Sequence, residues 1–309
     1  MDLRQLEYFL AAVEQRSLGR AAEVMNISQP AISKAIRRLE LQLGVTLLDR
    51  LPRGVDPTHY GDVLALRGAA IRHALNRVEL ELQAMKSGHT GRVFVGVGSS
   101  MRLKLLPEAL LRVRADHPRV EFKVVSKLHD GLLPDVKRGD IEFALCQLAA
   151  PDVDEDLAEI PLYADRMCPT VRKGHPLLTK KDLTPADCLD YDWILPAPEH
   201  LGHRRLDAIF HGLGLPSPKP AIESESTLFS MALVKRCDMI SWHPTQVIDE
   251  NAADVAAIPL PEIAMHRKVG IVHRKDLQVS TPTRLLIEQL QAVSREMIAE
   301  GIATEVNAA

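Results

Sequence analysis

The sequence predicts a helical front region with a small β-wing and a long helix, followed by an α/β region. Near the N-terminus, apolar residues recur with a helical period over Leu3–Gln15, and two shorter helices follow. A seven-residue apolar repeat over Leu64–Met85 predicts a long helix that pairs with another helix. After about residue 91, short strand-forming runs alternate with helical segments, which predicts a parallel sheet with helices on its faces.

The charge of the chain is unevenly distributed. Its 309 residues carry a net charge of −3, so bulk charge gives no general affinity for polyanions. Residues 1–90 hold 12 Lys and Arg against 10 Asp and Glu, whereas the rest of the chain holds 26 against 31. A surface for nucleic acid would therefore lie in the front region, and it would be a local patch.

Cysteine usage and the N-terminal segment favour a cytoplasmic protein. The four cysteines are far apart and none forms a Cys-x-x-Cys pair, which indicates reduced thiols rather than a disulfide framework. The charged N-terminal segment lacks the apolar core of a secretory signal. No apolar run approaches the roughly 20 residues that a membrane span needs. We therefore expect neither export nor contact with a membrane.

Two further helices and a wing follow the first helix. The second helix is predicted over Leu18–Met25 and the third over Gln29–Leu43, with a short polar break between them. Ser28 is the expected N-cap of the third helix, and Pro30 lies in its first turn, where a missing N–H does no harm. Val45–Asp56 is predicted to form the β-wing.

The third helix has an apolar face and a polar face. The apolar face, which we expect to pack on the first two helices, carries Ile32, Ile36, Leu39 and Leu43. The opposite face carries polar and basic side chains of the kinds that bind base edges and phosphates in a major groove. The predicted DNA-contacting residues are Ser28, Gln29, Pro30, Ser33, Lys34, Arg37 and Arg38 at this helix, Arg50 and Arg53 in the wing, and Thr58 after it. A solvated amphipathic helix is the alternative for an isolated helix, but the short turn and the following wing favour a winged helix-turn-helix.

The long helix is predicted to start after Pro57, with Thr58 as its cap. Two interleaved sets of apolar positions, each repeating every seven residues, form a stripe along this helix. The stripe could pair with a second copy of the chain, and packing on the helix's own domain is the alternative. The predicted dimerisation residues are Leu64, Ile71, Leu75, Val78, Leu82 and Met85.

The front region resembles a known family. The run Ser17–Glu40 is similar to the winged helix-turn-helix of the LysR-type transcriptional regulators, and Leu43–Arg50 and Pro57–Gly61 continue the similarity. Sparser similarity extends over most of the remaining chain. It is carried by Arg138–Ala144, Gly174–Leu177 and Asp192–Ile194.

The resemblance implies a DNA-binding domain at 1–60, a linker and dimerisation helix at 58–90, and an effector-binding domain at 91–309. It implies that the last of these folds like a periplasmic binding protein, with one lobe at 91–162 and 267–309 and another at 163–266. It further implies a dimer or tetramer that binds interrupted inverted repeats in double-stranded DNA at promoters, with RNA polymerase as a further partner. The resemblance also implies that a small-molecule effector modulates the activity of the regulator at the promoter, and it implies no cofactor.

Candidate effector contacts follow from the rule that ligands of open α/β sheets lie at the carboxyl ends of strands, near helix starts. These residues are Ser99, Ser100, Met101, His129, Gln147, His203, Thr227, Phe229 and Trp242. Hydroxyl groups at predicted helix starts suggest a small organic anion as the effector. Ser99 or Ser100 acting only as a helix cap is an equal alternative. The chain reads Cys-Asp-Met at 237–239, where the family often has a Gly-x-Gly-like turn.

Other classes of protein fit the sequence less well. His200 and His203 are the pair that most resembles a metal site, but no cysteine lies near them in the sequence, so we expect no metal. No catalytic motif is visible, so we also expect no enzymatic activity. A solute-binding module would need an export signal and would lack the front helices. A helix-turn-helix that has lost DNA would not retain Gln29, Arg37 and Arg53.

Overall fold

The computed structural model of the chain describes residues 1–51, 54–87, 91–148, 156–277 and 279–306, except for the side chains at 73, 76, 77, 79–81 and 83–87. The chain divides into two compact units. The N-terminal unit comprises Met1–Lys86 and Lys137–Asp140, and the C-terminal unit comprises Ser87–Val136 and Ile141–Ala309. The finer predicted boundaries at 60, 90, 162 and 266 stay a prediction.

The front of the chain forms the predicted winged helix-turn-helix and long helix. Its elements are α1 Leu3–Gln15, α2 Leu18–Val24, α3 Gln29–Leu43, β1 Leu48–Leu51, β2 Gly54–Pro57 and α4 His59–Ser87. The predicted helix limits therefore agree with the structure to within one residue. Strands β1 and β2 pair antiparallel and form the wing.

The start of α3 differs in one respect from the prediction. Ser28 occupies the N-cap position, but its side chain makes no capping hydrogen bond. An N-cap side chain normally accepts from the N–H of the second or third helical residue. Pro30 is the second residue and has no N–H, and the N–H of Ala31 donates to the Ser28 carbonyl oxygen at 3.0 Å. No donor of the usual kind is left for the Ser28 hydroxyl.

The core of the N-terminal unit lies where α3 packs on α1 and α2. Its fully buried side chains include Leu6, Phe9, Ile32 and Leu39. Leu43, which the pattern places on the same face, is 43% exposed, so this part of the prediction is wrong. Helix α3 has fifteen residues and α2 only seven, so the last turn of α3 extends beyond the helix that covers its apolar face.

Two polar contacts fasten the wing to the helices. The Glu40 carboxylate of α3 accepts the N–H groups of Leu47 at 2.8 Å and Leu48 at 3.3 Å. At the other end of the wing, the N–H of Val55 donates to the Arg16 carbonyl oxygen at 3.2 Å. Gly54 makes this approach possible, because it has a φ of 146° and a β-carbon there would lie 2.3 Å from the Arg16 oxygen.

The start of α4 is capped as predicted. The Thr58 hydroxyl accepts the N–H of Gly61 at 3.1 Å and donates to the Thr46 carbonyl oxygen at 2.7 Å. Farther along α4, Gly68 lies against α1, and a β-carbon on it would lie 2.5 Å from Leu6. The first part of α4 therefore packs on the core of its own unit.

The rest of the chain forms an α/β unit. Its helices are α5 Leu105–Asp116, α6 His129–Arg138, α7 Leu201–Gly212, α8 Thr227–Val234, α9 Thr245–Glu250 and α10 Thr281–Ala299. Its strands are β3 Arg92–Val97, β4 Glu121–Ser126, β5 Phe143–Gln147, β6 Leu157–Arg172, β7 Trp193–Leu195, β8 Pro220–Glu223, β9 Ile240–Pro244, β10 Val255–Ala257 and β11 Met265–Arg274.

One sheet runs through this unit in the order β4-β3-β5-β11-β6-β9-β7-β8, with β10 paired to β6. The pairs at both ends of the order are parallel, as predicted, but the central strands β11 and β6 are antiparallel. The sheet is therefore mixed rather than parallel. The two central strands are also the longest, with ten and sixteen residues, so they connect the two ends of the sheet.

Each end of the sheet has its own hydrophobic core. We call β3, β4 and β5 with α5, α6 and α10 the first half, and β7, β8 and β9 with α7, α8 and α9 the second half. Leu105, Leu132 and Leu290 belong to the core of the first half, and Leu206 and Phe210 belong to a separate core in the second half. Separate apolar cores at the two ends, joined through long central strands, form a two-lobed unit.

We predict that Gly54→Ala lowers the free energy of unfolding by about 1–3 kcal/mol, because it combines a strained backbone conformation with a collision at the Arg16 oxygen. Chemical unfolding followed by circular dichroism measures the change. Gly44→Ala is the control, since Gly44 has a φ of 72° but open space around it. An equal loss in both variants would show that the collision contributes nothing.

Candidate functional sites

The polar face of α3 is accessible, as the sequence predicted. Ser28, Gln29, Pro30, Lys34, Arg37 and Arg38 are exposed, and Ser33 is half-buried. Because Ile32, Ile36 and Leu39 are held in the core, the geometry of a helix directs these polar side chains outward. The packing of one face thus determines what the other face presents.

The wing lies beside this face. Arg50 of β1 is exposed, and its guanidinium donates to the Ser33 hydroxyl at 3.1 Å. Thr58 is half-buried and holds the start of α4. Arg53 lies outside the described residues. The contribution of Glu40, which positions the wing, was not predicted from the sequence, because nothing in its spacing distinguishes it from a solvated acid.

The basic side chains of this surface are available to a partner. Within the described part of the chain, Lys34, Arg37 and Arg38 take part in no ion pair, and Arg50 bonds only to a neutral hydroxyl. A helix whose exposed face combines amide, hydroxyl and unpaired cationic groups can bind base edges and phosphates in a major groove.

The C-terminal unit contains a cleft between its two halves. The cleft encloses about 900 Å³, including its open mouth. Side chains from β5, β9 and β11 and from the starts of α6, α7 and α8 line it. This is the place where an open α/β sheet offers strand ends and helix starts to a ligand.

Most of the predicted effector residues line this cleft. They are Ser99, Met101, His129, Gln147, His203, Thr227 and Trp242. Gln147 and Trp242 lie within β5 and β9 rather than after them, and His129 is the first residue of α6. Contact between these side chains and a ligand stays a prediction.

Ser100 and Phe229 do not line the cleft, which corrects the predicted set. The buried Ser100 hydroxyl accepts from Arg267 at 2.6 Å and contacts the Met101 sulfur at 3.0 Å, so it holds other side chains in place. Phe229 is 48% exposed. It lies two residues after Thr227 on α8, which turns it by about 200° to the opposite side of the helix.

Several residues of the cleft were not predicted. They include Asp130, His200, Glu225, His243 and Arg267. Asp130 and His243 are direct neighbours of predicted residues, and the rule of strand and helix ends that selects His129 and Trp242 applies to them as well. Arg267 lies in the interior of the long strand β11, where a rule based on strand ends does not apply.

A buried ion pair lies at the inner wall of the cleft. Arg267 and Asp165 are opposite each other on β11 and β6, and Arg267 Nη2 donates to Asp165 Oδ2 at 2.8 Å. Burial lowers the pKa of Arg267, but the charge and hydrogen bonds of Asp165 outweigh it, so the net shift is upward. The guanidinium therefore stays charged, and Asp165 neutralises most of that charge.

Two buried N–H donors in the cleft have no partner in the described part of the protein. Among the described residues, Gln147 Nε2 and Trp242 Nε1 donate to no acceptor, although both side chains are more than nine-tenths buried. His129 Nδ1 is also without a partner there. An unmade hydrogen bond of this kind costs about 1–3 kcal/mol. A ligand with oxygen acceptors would satisfy such donors.

Two histidines of the cleft, His129 and His243, are held neutral. Burial lowers the pKa of His243 to about 4, and its Nε2 lies 3.2 Å from the Ser230 hydroxyl. Burial also lowers the pKa of His129, against the opposing effects of Asp130 and the Gln147 backbone. Near neutral pH these two side chains therefore contribute hydrogen bonds rather than charge.

The described residues form neither a metal centre nor a membrane span. No group of three His, Cys, Asp or Glu side chains within the described ranges is arranged to hold a metal ion. None of the helices described here is both long enough and apolar enough to cross a membrane.

Comparison with known proteins decides the family. A family model for the bacterial regulatory helix-turn-helix of the LysR family matches residues 3–62, and a model for the LysR substrate-binding domain matches residues 86–295. The chain belongs to the LysR family of transcriptional regulators. The resemblance that the sequence suggested is thereby confirmed.

Curated relatives of the regulator are similar along nearly its whole length. The HTH-type transcriptional regulator GbpR of Azospirillum brasilense is 33% identical over 95% of this chain and 87% of its own. GalR of Pseudomonas putida, another HTH-type transcriptional regulator, is 32% identical over 96% of this chain and 74% of its own.

Solved structures show the same fold. Full-length CbnR in complex with its target DNA is 20% identical, covers 95% of this chain and all of its own, and superposes with a TM-score of 0.62. A mutant form of full-length BenM is 26% identical over 99% of this chain and 98% of its own, with a TM-score of 0.56. The regulator thus combines a DNA-binding helix-turn-helix with a two-lobed domain for a small-molecule effector, in a family of regulators rather than enzymes.

We predict that acid destabilises the regulator partly through His243. The folded side chain stays neutral down to a pKa of about 4, whereas the unfolded one takes up a proton near its ordinary pKa of about 6.5. Unfolding therefore binds a proton in this window, and about 3 kcal/mol of stability is lost as the pH falls through it.

Unfolding of His243→Gln between pH 7 and about pH 4.5 tests this prediction, because glutamine keeps a polar side chain but does not titrate. The variant should lose stability less steeply with falling pH. Ser230→Ala is the control, since it removes the hydroxyl beside His243 but keeps the imidazole. An unchanged slope in His243→Gln would mean that His243 is not the group responsible.

Proposed function

We propose that α3 enters the major groove of an operator, where Gln29 and Ser33 contact base edges and Lys34, Arg37 and Arg38 contact bases or phosphates. The observation that carries this proposal is an exposed face with unpaired cations on a helix whose other face is fixed in a core. Ser28, Pro30 and Thr58 would approach the phosphate backbone. Arg50 and Arg53 of the wing would reach the adjacent backbone or minor groove.

We further propose that the regulator binds as a homo-oligomer to an interrupted inverted repeat near promoters. Helix α4 carries Ile71, Leu75, Val78 and Leu82 at heptad spacing, and each is 41–55% exposed. Apolar side chains in such a row are stabilised by packing against a second helix. Leu64 lies differently, because it packs partly on the core of its own unit, and the side chain of Met85 lies outside the described residues. A dimer or tetramer acting in the cytoplasm with RNA polymerase completes this proposal.

The proposed effector is a small organic anion that binds in the cleft between a lobe at 91–162 and 267–309 and a lobe at 163–266. The unpartnered N–H groups of Gln147 and Trp242 and the hydroxyls of Ser99 and Thr227 supply donors for its oxygen atoms. Met101, Met167 and Ile194 supply apolar surface for the rest of the molecule. The cleft would thus bind a carboxylate or sulfonate mainly through hydrogen bonds from neutral N–H and hydroxyl groups.

We predict that Gln29→Ala weakens binding to the cognate operator by about 1–3 kcal/mol and relaxes base preference at one position of each half-site. Quantitative DNA binding to the operator and to a scrambled duplex, at one salt concentration, measures both effects. Gln42→Ala is a matched control, because Gln42 is exposed near the end of the same helix, outside the predicted contact set. Equal weakening on operator and scrambled DNA would contradict base recognition by Gln29.

We predict that small carboxylates or sulfonates raise the melting temperature of the regulator and that their neutral amides or alcohols do not. Gln147→Leu and Trp242→Phe should abolish this rise without lowering the stability of the ligand-free chain, since each removes a donor that has no partner among the described residues.

Gln246→Leu is the matched control for the effector prediction. Gln246 is also buried, and its amide nitrogen has no partner in the described part of the chain, but it does not line the cleft. The thermal response of this variant should equal that of the unmodified regulator. A consistent preference for neutral or cationic compounds in the same screen would contradict an anionic effector.

A further inference from the structure

Helix α7 begins without a capping side chain from its own segment. His200 occupies the N-cap position and makes no side-chain capping hydrogen bond. The N–H of Leu201, the first helical residue, donates instead to Asp130 Oδ2 at 2.7 Å. The start of α7 is therefore capped by a carboxylate that lies 71 positions earlier in the chain.

This hydrogen bond joins the two halves of the C-terminal unit. Asp130 lies in the first turn of α6, and α6 contributes Leu132 and Val136 to the core of the first half. Helix α7 contributes Leu206 and Phe210 to the core of the second half. Because the two cores are separate, the contact between Asp130 and α7 spans the space between them.

The same contact lies at the cleft. Asp130, His200 and Leu201 all line it. Opening of the cleft at this point would separate α6 from the start of α7 and would break the hydrogen bond. Ligand entry and the capping of α7 are therefore coupled by geometry.

Several neighbouring groups surround the Asp130 carboxylate in this position. Arg204 Nη2 lies 3.7 Å from the other carboxylate oxygen. His200 Nδ1 lies 3.4 Å from Oδ2 but makes no hydrogen bond to any described residue. The positive end of the α7 dipole adds to the attraction. The backbone hydrogen bond is the main component, because a charged acceptor strengthens it, whereas the exposed pair with Arg204 is screened by solvent.

His200 extends the contact farther into the second half. Its Nε2 lies 2.9 Å from Glu225 Oε1, in the loop that precedes α8. Glu225 also lines the cleft. One imidazole thus lies between a carboxylate of the first half and a carboxylate of the second.

We infer that Asp130 is a latch that holds the cleft closed by capping α7 from the opposite half. The inference rests on the proposed function only in taking the cleft as the effector site. Ligand exchange would require the latch to open, so the strength of this one hydrogen bond would set how often the cleft is accessible.

The two tryptophans of the chain allow opening to be measured without a ligand. Trp193 is 1% exposed in the core of the second half, whereas Trp242 lines the cleft. A neutral quencher such as acrylamide reaches Trp242 when the cleft opens, and Trp193 supplies a constant background. Quenching of tryptophan fluorescence in the full-length chain therefore reports the open population.

Asp130→Ala should raise the open population about fivefold, because loss of a helix cap of typical strength changes an equilibrium by about that factor. Asp130→Asn should produce a smaller rise than Asp130→Ala, since an amide oxygen also caps helices well but lacks the charge that strengthens the bond. Asp207→Ala is the control. Asp207 lies on α7 with similar exposure, but its nearest charged or titratable contact, His203 Nε2 at 3.6 Å, belongs to its own helix. Equal quenching of Asp130→Ala and the unmodified chain, or an equal rise in Asp207→Ala, would overturn the latch.

Leu201→Pro removes the donor of the Leu201–Asp130 hydrogen bond rather than its acceptor. It therefore tests the same hydrogen bond even if Asp130→Ala fails to fold. Proline is tolerated at the first position of a helix, and it removes the N–H that Asp130 accepts together with the leucine side chain. Its quenching should rise in the same direction, whereas Leu201→Ala, which keeps the N–H, should not show the rise. Adding Asp130→Ala to Leu201→Pro should produce little further effect if both act on one hydrogen bond.

These measurements need neither DNA nor effector. A failure of the latch would leave operator binding and the anion response intact, and a failure of either of those would leave the quenching results unchanged. An increase in quenching that is the same in Leu201→Pro and Leu201→Ala would overturn the inference, because it would assign the effect to the lost side chain.

Discussion

The burial of one face of α3 is the constraint on which the DNA-binding part of this regulator depends. Ile32, Ile36 and Leu39 recur at helical spacing and are almost completely removed from solvent. A helix fixed on one side can present only the residues of its other side, at fixed angles and heights. The same three apolar residues therefore determine the orientation of Gln29, Lys34 and Arg37, in addition to stabilising the folded N-terminal unit.

The C-terminal unit depends on a different constraint, the burial of a charge pair between its two longest strands. Arg267 and Asp165 lie on the strands that both halves share, and Arg267 also holds Ser100 beside the cleft. Burying such a pair gains little stability over apolar packing, but removing one partner leaves an uncompensated charge. The arrangement thus fixes the geometry of the inner wall while adding little net charge to the ligand site.

Much of this structure could be predicted from local sequence signals. The helices of the front region were located to within one residue because apolar spacing defines their extent and Pro30 marks the first turn of α3. The cleft residues next to strand and helix ends were found by a general rule of α/β sheets. What local signals could not show is which distant segments meet. The antiparallel central strands, Arg267 in a strand interior and Asp130 at the start of α7 all depend on long-range pairing.

The two hydrogen bonds that Glu40 accepts from the wing have a consequence for operator recognition. The Glu40 carboxylate belongs to the helix that we propose enters the groove, and it accepts two backbone N–H groups of the segment that leads into β1. These hydrogen bonds therefore make α3 and the wing move together as one rigid body. An operator variant that shifts the helix by a fraction of an ångström must shift the wing with it, so imperfect half-sites would lose contacts in groups rather than one at a time.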